Sequence, residues 1–256
     1  MIEVKTEHPL ALDIVDHLYP DGIFFDNVSN SSYISQVEAR FGGRKINMLD
    51  LGCGGGQLVV DFYNRGHTAV GLDGSDFALK NNMHNWPTYY QKCLFNADLR
   101  YPFQILEDGG IAKFDFINSW EVIEHIPLQY LETFFVNVLN HLAPGGFFAG
   151  SVATLQNSRL LVRGEGPPSP DFKPYGAFWL DTVNSMVYGP WAGDWGKARP
   201  IKAEEVIAGD MIEYHHTLFP ADWWVQTMSP FFQVLDYPFA GVNRMGSSYH
   251  FMLTHK

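Results

Sequence analysis

The sequence predicts an α/β fold built on a largely parallel sheet. Three observations carry that prediction. Short apolar runs alternate with helical patterns through the first half, a glycine turn follows one of those runs directly, and the composition supports a sizeable core. With 46% hydrophobic and 18% charged residues in a chain of 256, one large domain or a domain with an elaborated lobe is expected, and disorder is not.

Taken in order, the candidate strands are Asn47 to Leu51, Thr68 to Leu72, Phe114 to Asn118 and Phe147 to Val152, each short, apolar and bounded by Gly, Asp or Asn. From Leu128, the residues Leu131, Phe134, Phe135, Val138, Leu139 and Leu142 recur at spacings of three and four, which predicts an amphipathic helix. Pro144-Gly145-Gly146 is read as the end of that helix and a turn. Between Arg159 and Asp210, 13 of 52 residues are Gly or Pro, so this stretch is read as an insertion or lid of little regular structure. Patterning resumes near Phe219, where Thr217 or Asp222 is placed at a helix start, followed by an apolar run from Phe231 to Leu235 and a last strand over Tyr249 to Thr254. The whole is expected to be one domain over 1–256, with a substrate lobe inserted at about 156–212.

Charge narrows the function. Seventeen Lys and Arg against 28 Asp and Glu give a formal charge of -11, which repels phosphate backbones. No nucleic-acid partner is expected. The opening MIEVKTEHPLALDIVDHLYP lacks the continuous apolar region of an export signal, and the uncharged stretch from Thr133 to Ser158 contains Asn137, Asn140, His141 and Pro144-Gly145-Gly146, which suits a buried helix and strand better than a membrane span. Cys53 and Cys93 are too few for a disulfide framework, so a cytoplasmic setting with no membrane partner is expected.

The strongest local signal is Asn47-Met48-Leu49-Asp50-Leu51-Gly52-Cys53-Gly54-Gly55-Gly56-Gln57, an apolar strand ending in an acid and a glycine turn. Glycines there permit positive φ and close approach of a ligand, at the carboxyl end of a strand where open α/β sheets bind. A dinucleotide fingerprint would place a third glycine at position 57, which is Gln57, and a phosphate-binding loop would need a following Gly-Lys-Ser/Thr, which is missing.

The run resembles motif I of class I S-adenosylmethionine-dependent methyltransferases, acid-x-Gly-x-Gly-x-Gly, matched at Asp50, Gly52, Gly54 and Gly56. Val70-Gly71-Leu72-Asp73-Gly74-Ser75 is similar to the family's second strand with its ribose-binding acid, and Asn96-Ala97-Asp98-Leu99 to its adenine-contacting turn. Phe114 to Ile126 resembles the fourth strand and its exit loop, and Leu139 to Gly146 the passage into strand five. The ubiquinone-biosynthesis O-methyltransferase-like branch is the most similar. The resemblance implies a Rossmann-like seven-stranded, mostly parallel sheet with helices on both faces, S-adenosylmethionine as cofactor, and Asp50, Gly52, Cys53, Gly54, Asp73, Gly74, Ser75, Asp98, Leu99 and Ser119 around it. The chemistry agrees: ribose hydroxyls and the adenine amine are donors, which carboxylates at Asp73 and Asp98 would accept, while Leu72 and Leu99 could flank the base. Cys53 is read as a small filler of the loop, since no neighbouring base activates its thiol.

Glu121, Glu124 and His125 stand at i, i+3 and i+4, a spacing that brings three side chains to one face of a short helical turn before Pro127. His125 is taken as a substrate contact or as the general base for an acceptor hydroxyl. In the alternative, which follows a resemblance to the small-RNA terminal 2′-O-methyltransferases, Glu121, Glu124, His125 and His216 would hold a divalent metal; His215 is the other member of that histidine pair, and no metal is expected. Trp179, Trp191, Trp195, Tyr175 and Tyr188, with Trp223 and Trp224, form either stacking surfaces for a sugar or aromatic acceptor or the lobe's own small core. The expected function is methyl transfer to oxygen of a small-molecule acceptor; a non-catalytic donor-binding scaffold subunit and the RNA enzyme are the alternatives. Oligomeric state is not legible.

Overall fold

The computed structural model describes residues 2–11, 30–152, 221–239 and 249–256. The expected lobe at about 156–212 lies outside these residues, as do its aromatic side chains and His215 and His216.

The described chain runs β1 (Ile2–Thr6), α1 (Ser31–Arg40), β2 (Asn47–Leu51), α2 (Gln57–Asn64), β3 (Thr68–Asp73), α3 (Phe77–Lys80), α4 (Trp86–Tyr89), β4 (Leu94–Asn96), β5 (Phe103–Glu107), β6 (Gly110–Ile111), β7 (Phe114–Trp120), α5 (Leu131–His141), β8 (Leu142–Val152), α6 (Ala221–Met228), β9 (Gln233–Leu235) and β10 (Tyr249–Thr254). Seven strands form one sheet in the order β4-β3-β2-β7-β8-β10-β9, in which only β10 runs antiparallel to its neighbours. This is the expected Rossmann-like, mostly parallel sheet. Its order reverses between β2 and β7: β2 is followed by β3 and β4 on one side, and β7 opens the other. Open α/β sheets bind ligands at the carboxyl ends of strands beside such a reversal.

Strand alternation divides the core into two layers. Leu49, Leu51, Ile117, Phe148, Phe251 and Leu253 pack with Phe134, Phe135 and Val138 of α5 and Trp224 and Met228 of α6. The intervening Met48, Phe116, Phe147 and Met252 face the other way, against Tyr33, Ile34 and Val37 of α1 and Leu58, Val59 and Phe62 of α2. The sheet is therefore apolar on both faces and covered on both, as a parallel sheet requires.

Two sequence expectations change. Helix α5 stops at His141, and strand geometry begins at Leu142, so Pro144-Gly145-Gly146 does not turn the chain but forms an irregularity inside β8. Phe114 pairs with Leu142 and Phe116 already with Phe147, so the extra residues loop out, with Gly145 at φ 75°. The second change is a sheet that sequence patterning does not reveal, β1-β5-β6, in which Ile2 to Thr6 pair antiparallel with Glu107 to Phe103. Among the described residues, no helix is long and apolar enough to cross a membrane.

Candidate active site

The ends of β2 and β3 build the first half of the site. Gly52, Gly54 and Gly56 all adopt left-handed backbone, with φ of 75°, 52° and 81°. A side chain at Gly52 would meet both strain and volume, because its Cβ would lie 2.3 Å from Val122 Cγ2. The Gly52 and Cys53 amides donate to the Leu72 carbonyl, tying the loop to β3, and Gly56 caps α2. Asp73, at the end of β3, accepts the Gly54 amide on Oδ2 at 2.8 Å and the Ser75 amide on Oδ1 at 2.8 Å. The acid chosen from the sequence thus also fixes the glycine loop. Gly74 and Ser75 are buried beside it, and Asn96 Nδ2 donates to the carbonyls of Asp73 and Ser75, joining β4 to this turn. Cys53 is buried against Gly71.

Two residues of the loop's clamp escaped sequence reasoning. The Trp86 indole N–H donates to the Gly54 carbonyl at 2.7 Å, and Asn85 Nδ2 donates to the Gly55 carbonyl at 3.3 Å. Nothing local marks either, since they reach the loop from about thirty residues away.

Asp98 is also placed at this end, but its carboxylate is taken. Arg100, two residues on, donates its Nε to both oxygens, its Nη2 to Oδ2 at 2.6 Å and its backbone amide to Oδ1, and both side chains are buried. The pair pins the turn, and Arg100 meets the charge of the carboxylate that the sequence assigns to the adenine amine. Leu99 is buried at this turn and Leu72 within β3. The Asp98 amide donates to the His8 carbonyl and the Ala11 amide to the Gly74 carbonyl, so the segment after β1 crosses the ends of β3 and β4.

Across the reversal, Asp50 is buried and its Oδ1 accepts Asn118 Nδ2 at 2.6 Å. Asn118 Oδ1 in turn accepts the Tyr33 hydroxyl, at 3.0 Å, and the Trp120 indole N–H. Burial, then the nearby Tyr237 hydroxyl, raises Tyr33 well above the ordinary phenol range, so it stays a donor. Ser119 is fully buried on the opposite face, and its Oγ has no hydrogen-bond partner among the described residues.

The predicted cluster of Glu121, Glu124 and His125 does not form one helical face. Only Ile123–His125 make a 3₁₀ turn, and Glu121 precedes it with φ 51°. Glu121 instead folds toward β8, accepting the Ser151 hydroxyl on Oε1, while Glu124 is fully buried and His125 half-buried. Among the described residues, no group of three or more His, Cys, Asp or Glu is arranged to hold a metal ion. Trp224 is wholly buried and packs the core, and the half-buried Trp223 stands edge-on to it at 5.0 Å.

The donor crevice and fold together define a class. The chain matches the methyltransferase-domain family over residues 27–195, and it belongs to that family, with the class I S-adenosylmethionine-dependent fold. Among characterised sequences it is similar to the ubiquinone biosynthesis O-methyltransferase of Rickettsia typhi, with 30% identity over 103 residues covering 40% of this chain and 39% of that protein. An uncharacterized methyltransferase of Synechocystis is 37% identical over 109 residues, 42% of this chain and 46% of that one. The matched stretch thus spans less than half the length of these relatives. Among solved structures, the 1,6-didemethyltoxoflavin-N1-methyltransferase of Burkholderia thailandensis, determined with 1,6-didemethyltoxoflavin and S-adenosylhomocysteine bound, shares the fold at a TM-score of 0.52 and 14% identity, over 94% of this chain and 85% of that one.

Proposed function

We propose that this chain transfers the methyl group of S-adenosylmethionine to an oxygen of a small-molecule acceptor. The observation that carries the reading is the glycine loop of three left-handed glycines, fixed to Asp73 through Gly54 N–H and to Trp86 through Gly54 C=O. The donor, once bound, supplies a methyl carbon activated by positive sulfur. What remains for the protein is to bind, to align and to exclude water.

Asp73 would take the ribose hydroxyls in charge-assisted hydrogen bonds, with Gly74 and Ser75 shaping the turn beneath them. Gly52, Cys53 and Gly54 give the backbone wall, Leu72 and Leu99 the apolar flanks, and Ser119 a hydroxyl with no partner among the described residues. Asp50, Asp73, Glu121 and Glu124 stand near the strand ends, whereas the charge of Asp98 is met by Arg100; the acidic excess favours a sulfonium. His125, half-buried at the end of the 3₁₀ turn, is the residue we assign to the acceptor's proton. The names of the Rickettsia relatives support oxygen as the methylated atom, and the charge of -11 supports a small acceptor over RNA.

The test supplies donor labelled in its methyl group together with phenols, sugars or RNA, each with and without a chelator. Label is expected in a small hydroxyl compound, unaffected by the chelator. Transfer to RNA alone, or transfer abolished by chelation, would overturn the proposal.

A further inference from the structure

Strand β7 carries one amide side chain, Asn118, among the apolar Phe114, Phe116 and Ile117, and it is only 1% exposed. A buried amide in such a strand costs stability unless its groups are bonded, so its partners show what it is for. Register sets Asn118 beside Asp50 of β2, at the reversal of strand order. Both side chains fall in the layer under α1 and α2, since Met48 and Phe116, two residues earlier on each strand, pack there. Asp50 stands two residues before Gly52, at the root of the glycine loop that Asp73 and Trp86 clamp.

Three partners fix the Asn118 amide in one orientation. Its Nδ2 donates to Asp50 Oδ1 at 2.6 Å, while its Oδ1 accepts the Tyr33 hydroxyl at 3.0 Å and the Trp120 indole N–H. A flipped amide would turn its NH2 group toward two donors and its oxygen toward a carboxylate, losing every one of these bonds. Tyr33 is held as firmly. Its ring stands edge-on to Phe116, Trp120 and Phe239 at 6.0, 5.3 and 5.2 Å, and its hydroxyl also interacts with Tyr237. A hydrogen-bonded path therefore runs from α1, through Asn118, to the acid of the glycine motif.

Resting on the methyltransferase reading above, we propose that Asn118 and Tyr33 are positioning residues, which hold the Asp50 carboxylate toward the amino-acid end of the donor. With the ribose at Asp73 on β3, the donor's remaining length reaches across β2 to the reversal, where Asp50 lies. That end of the donor carries an α-ammonium, and the strength of a charge-assisted bond to it depends on where the carboxylate oxygens point. A carboxylate accepts several donors at once, so the Asn118 bond on Oδ1 sets its plane without displacing a ligand. Released from Asn118, the same carboxylate is free to turn about its own side-chain bonds. Asn118 thus acts through Asp50, and Tyr33 acts through Asn118.

Two probes separate this role from plain packing: S-adenosylhomocysteine, and 5′-methylthioadenosine, which keeps the adenosine and the sulfur but lacks the ammonium and carboxylate. Each is titrated into wild type, Asn118→Leu and Tyr33→Phe, the last of which keeps its ring and loses only the hydroxyl. Wild type is expected to bind S-adenosylhomocysteine at least tenfold more tightly than methylthioadenosine. Asn118→Leu should bind S-adenosylhomocysteine at least tenfold more weakly and Tyr33→Phe at least threefold, while methylthioadenosine affinity stays within twofold of wild type in both. In an Asp50→Ala background, Asn118→Leu should change S-adenosylhomocysteine affinity by less than twofold. A cluster that only packs the fold would lower both affinities together or neither. That outcome in a cooperatively melting Asn118→Leu protein, or in Tyr33→Phe if the first variant does not fold, overturns the inference, and so does a full additive loss in the Asp50→Ala background or a wild type that binds both probes equally. Failure of wild type to bind either probe would instead sink the methyltransferase reading on which it rests.

Discussion

Asp73 is the residue at which structure adds most to the sequence reading, because its carboxylate both faces the crevice and accepts the Gly54 and Ser75 amides. Asp73→Asn keeps one oxygen acceptor but loses the charge, so it should weaken donor binding about 10-fold, in line with roughly 1.5–3 kcal/mol for a charge-assisted bond; Asp73→Ala should lose more, because the loop is also freed. Titration of S-adenosylhomocysteine into both variants checks the order, and equal affinities would refute it. Asp98, the second carboxylate that the sequence assigns to the donor, differs from Asp73 in being held by a buried ion pair. Its partner Arg100 is two residues away, and a pattern of residue types does not say which of several nearby donors a carboxylate will choose. His141 gives a prediction in pH. Its Nε2 accepts the Ile105 amide and its Nδ1 faces the Asn137 carbonyl, and burial holds the ring below its ordinary value of 6.5. Above that value the ring is neutral folded and unfolded alike; below it the unfolded chain takes up a proton that the folded chain refuses, so stability should fall as pH drops from 6.5. Melting temperature measured from pH 7 to 5 should decline, and decline less steeply in His141→Gln; equal slopes would count against this account.

At the scale of elements, the strands that bear the site were legible because parallel strands buried on both faces read as short apolar runs. β2 and β10 fall where the sequence places them, and the regular pairing of β8 resumes at the expected Phe147. What pattern could not show is pairing at a distance: β1 finds β5 about a hundred residues later, and only the folded chain brings them together. Nor could it show that Pro144-Gly145-Gly146 is a strand irregularity, since the same residues serve a helix end equally well. The close approach of β7 and β8 beside Ser119 supplies a sharp test. A Cβ on Gly150 would lie 1.7 Å from the Ser119 carbonyl oxygen, so Gly150→Ala must push the two strands apart. Denaturant unfolding should show a loss of about 3 kcal/mol, at the upper end for overpacking, and a loss under ~1 kcal/mol would mean that the strands are not so close. Trp86→Phe acts from α4 on the glycine loop: losing the indole bond to Gly54 should cost about 1–3 kcal/mol of stability and weaken donor binding, although Trp86 is outside the crevice's own strands.

Over the whole molecule, one sheet separates two apolar layers and leaves its polar residues at the carboxyl ends, donor-side groups on β2 and β3 and the Asn118 cluster on β7. That division was partly readable: the glycine loop marks the ends of β2 and β3, but what β8 and β10 bring together depends on register between strands about a hundred residues apart. The central claim is that the clamped loop and Asp73 bind S-adenosylmethionine, and calorimetric titration of the purified protein with that donor tests it most directly. Saturable binding at one site per chain, weakened at least tenfold in an Asp73→Ala protein that still melts cooperatively, is the predicted result. No binding by wild type, or equal affinity in the folded Asp73→Ala variant, would contradict it.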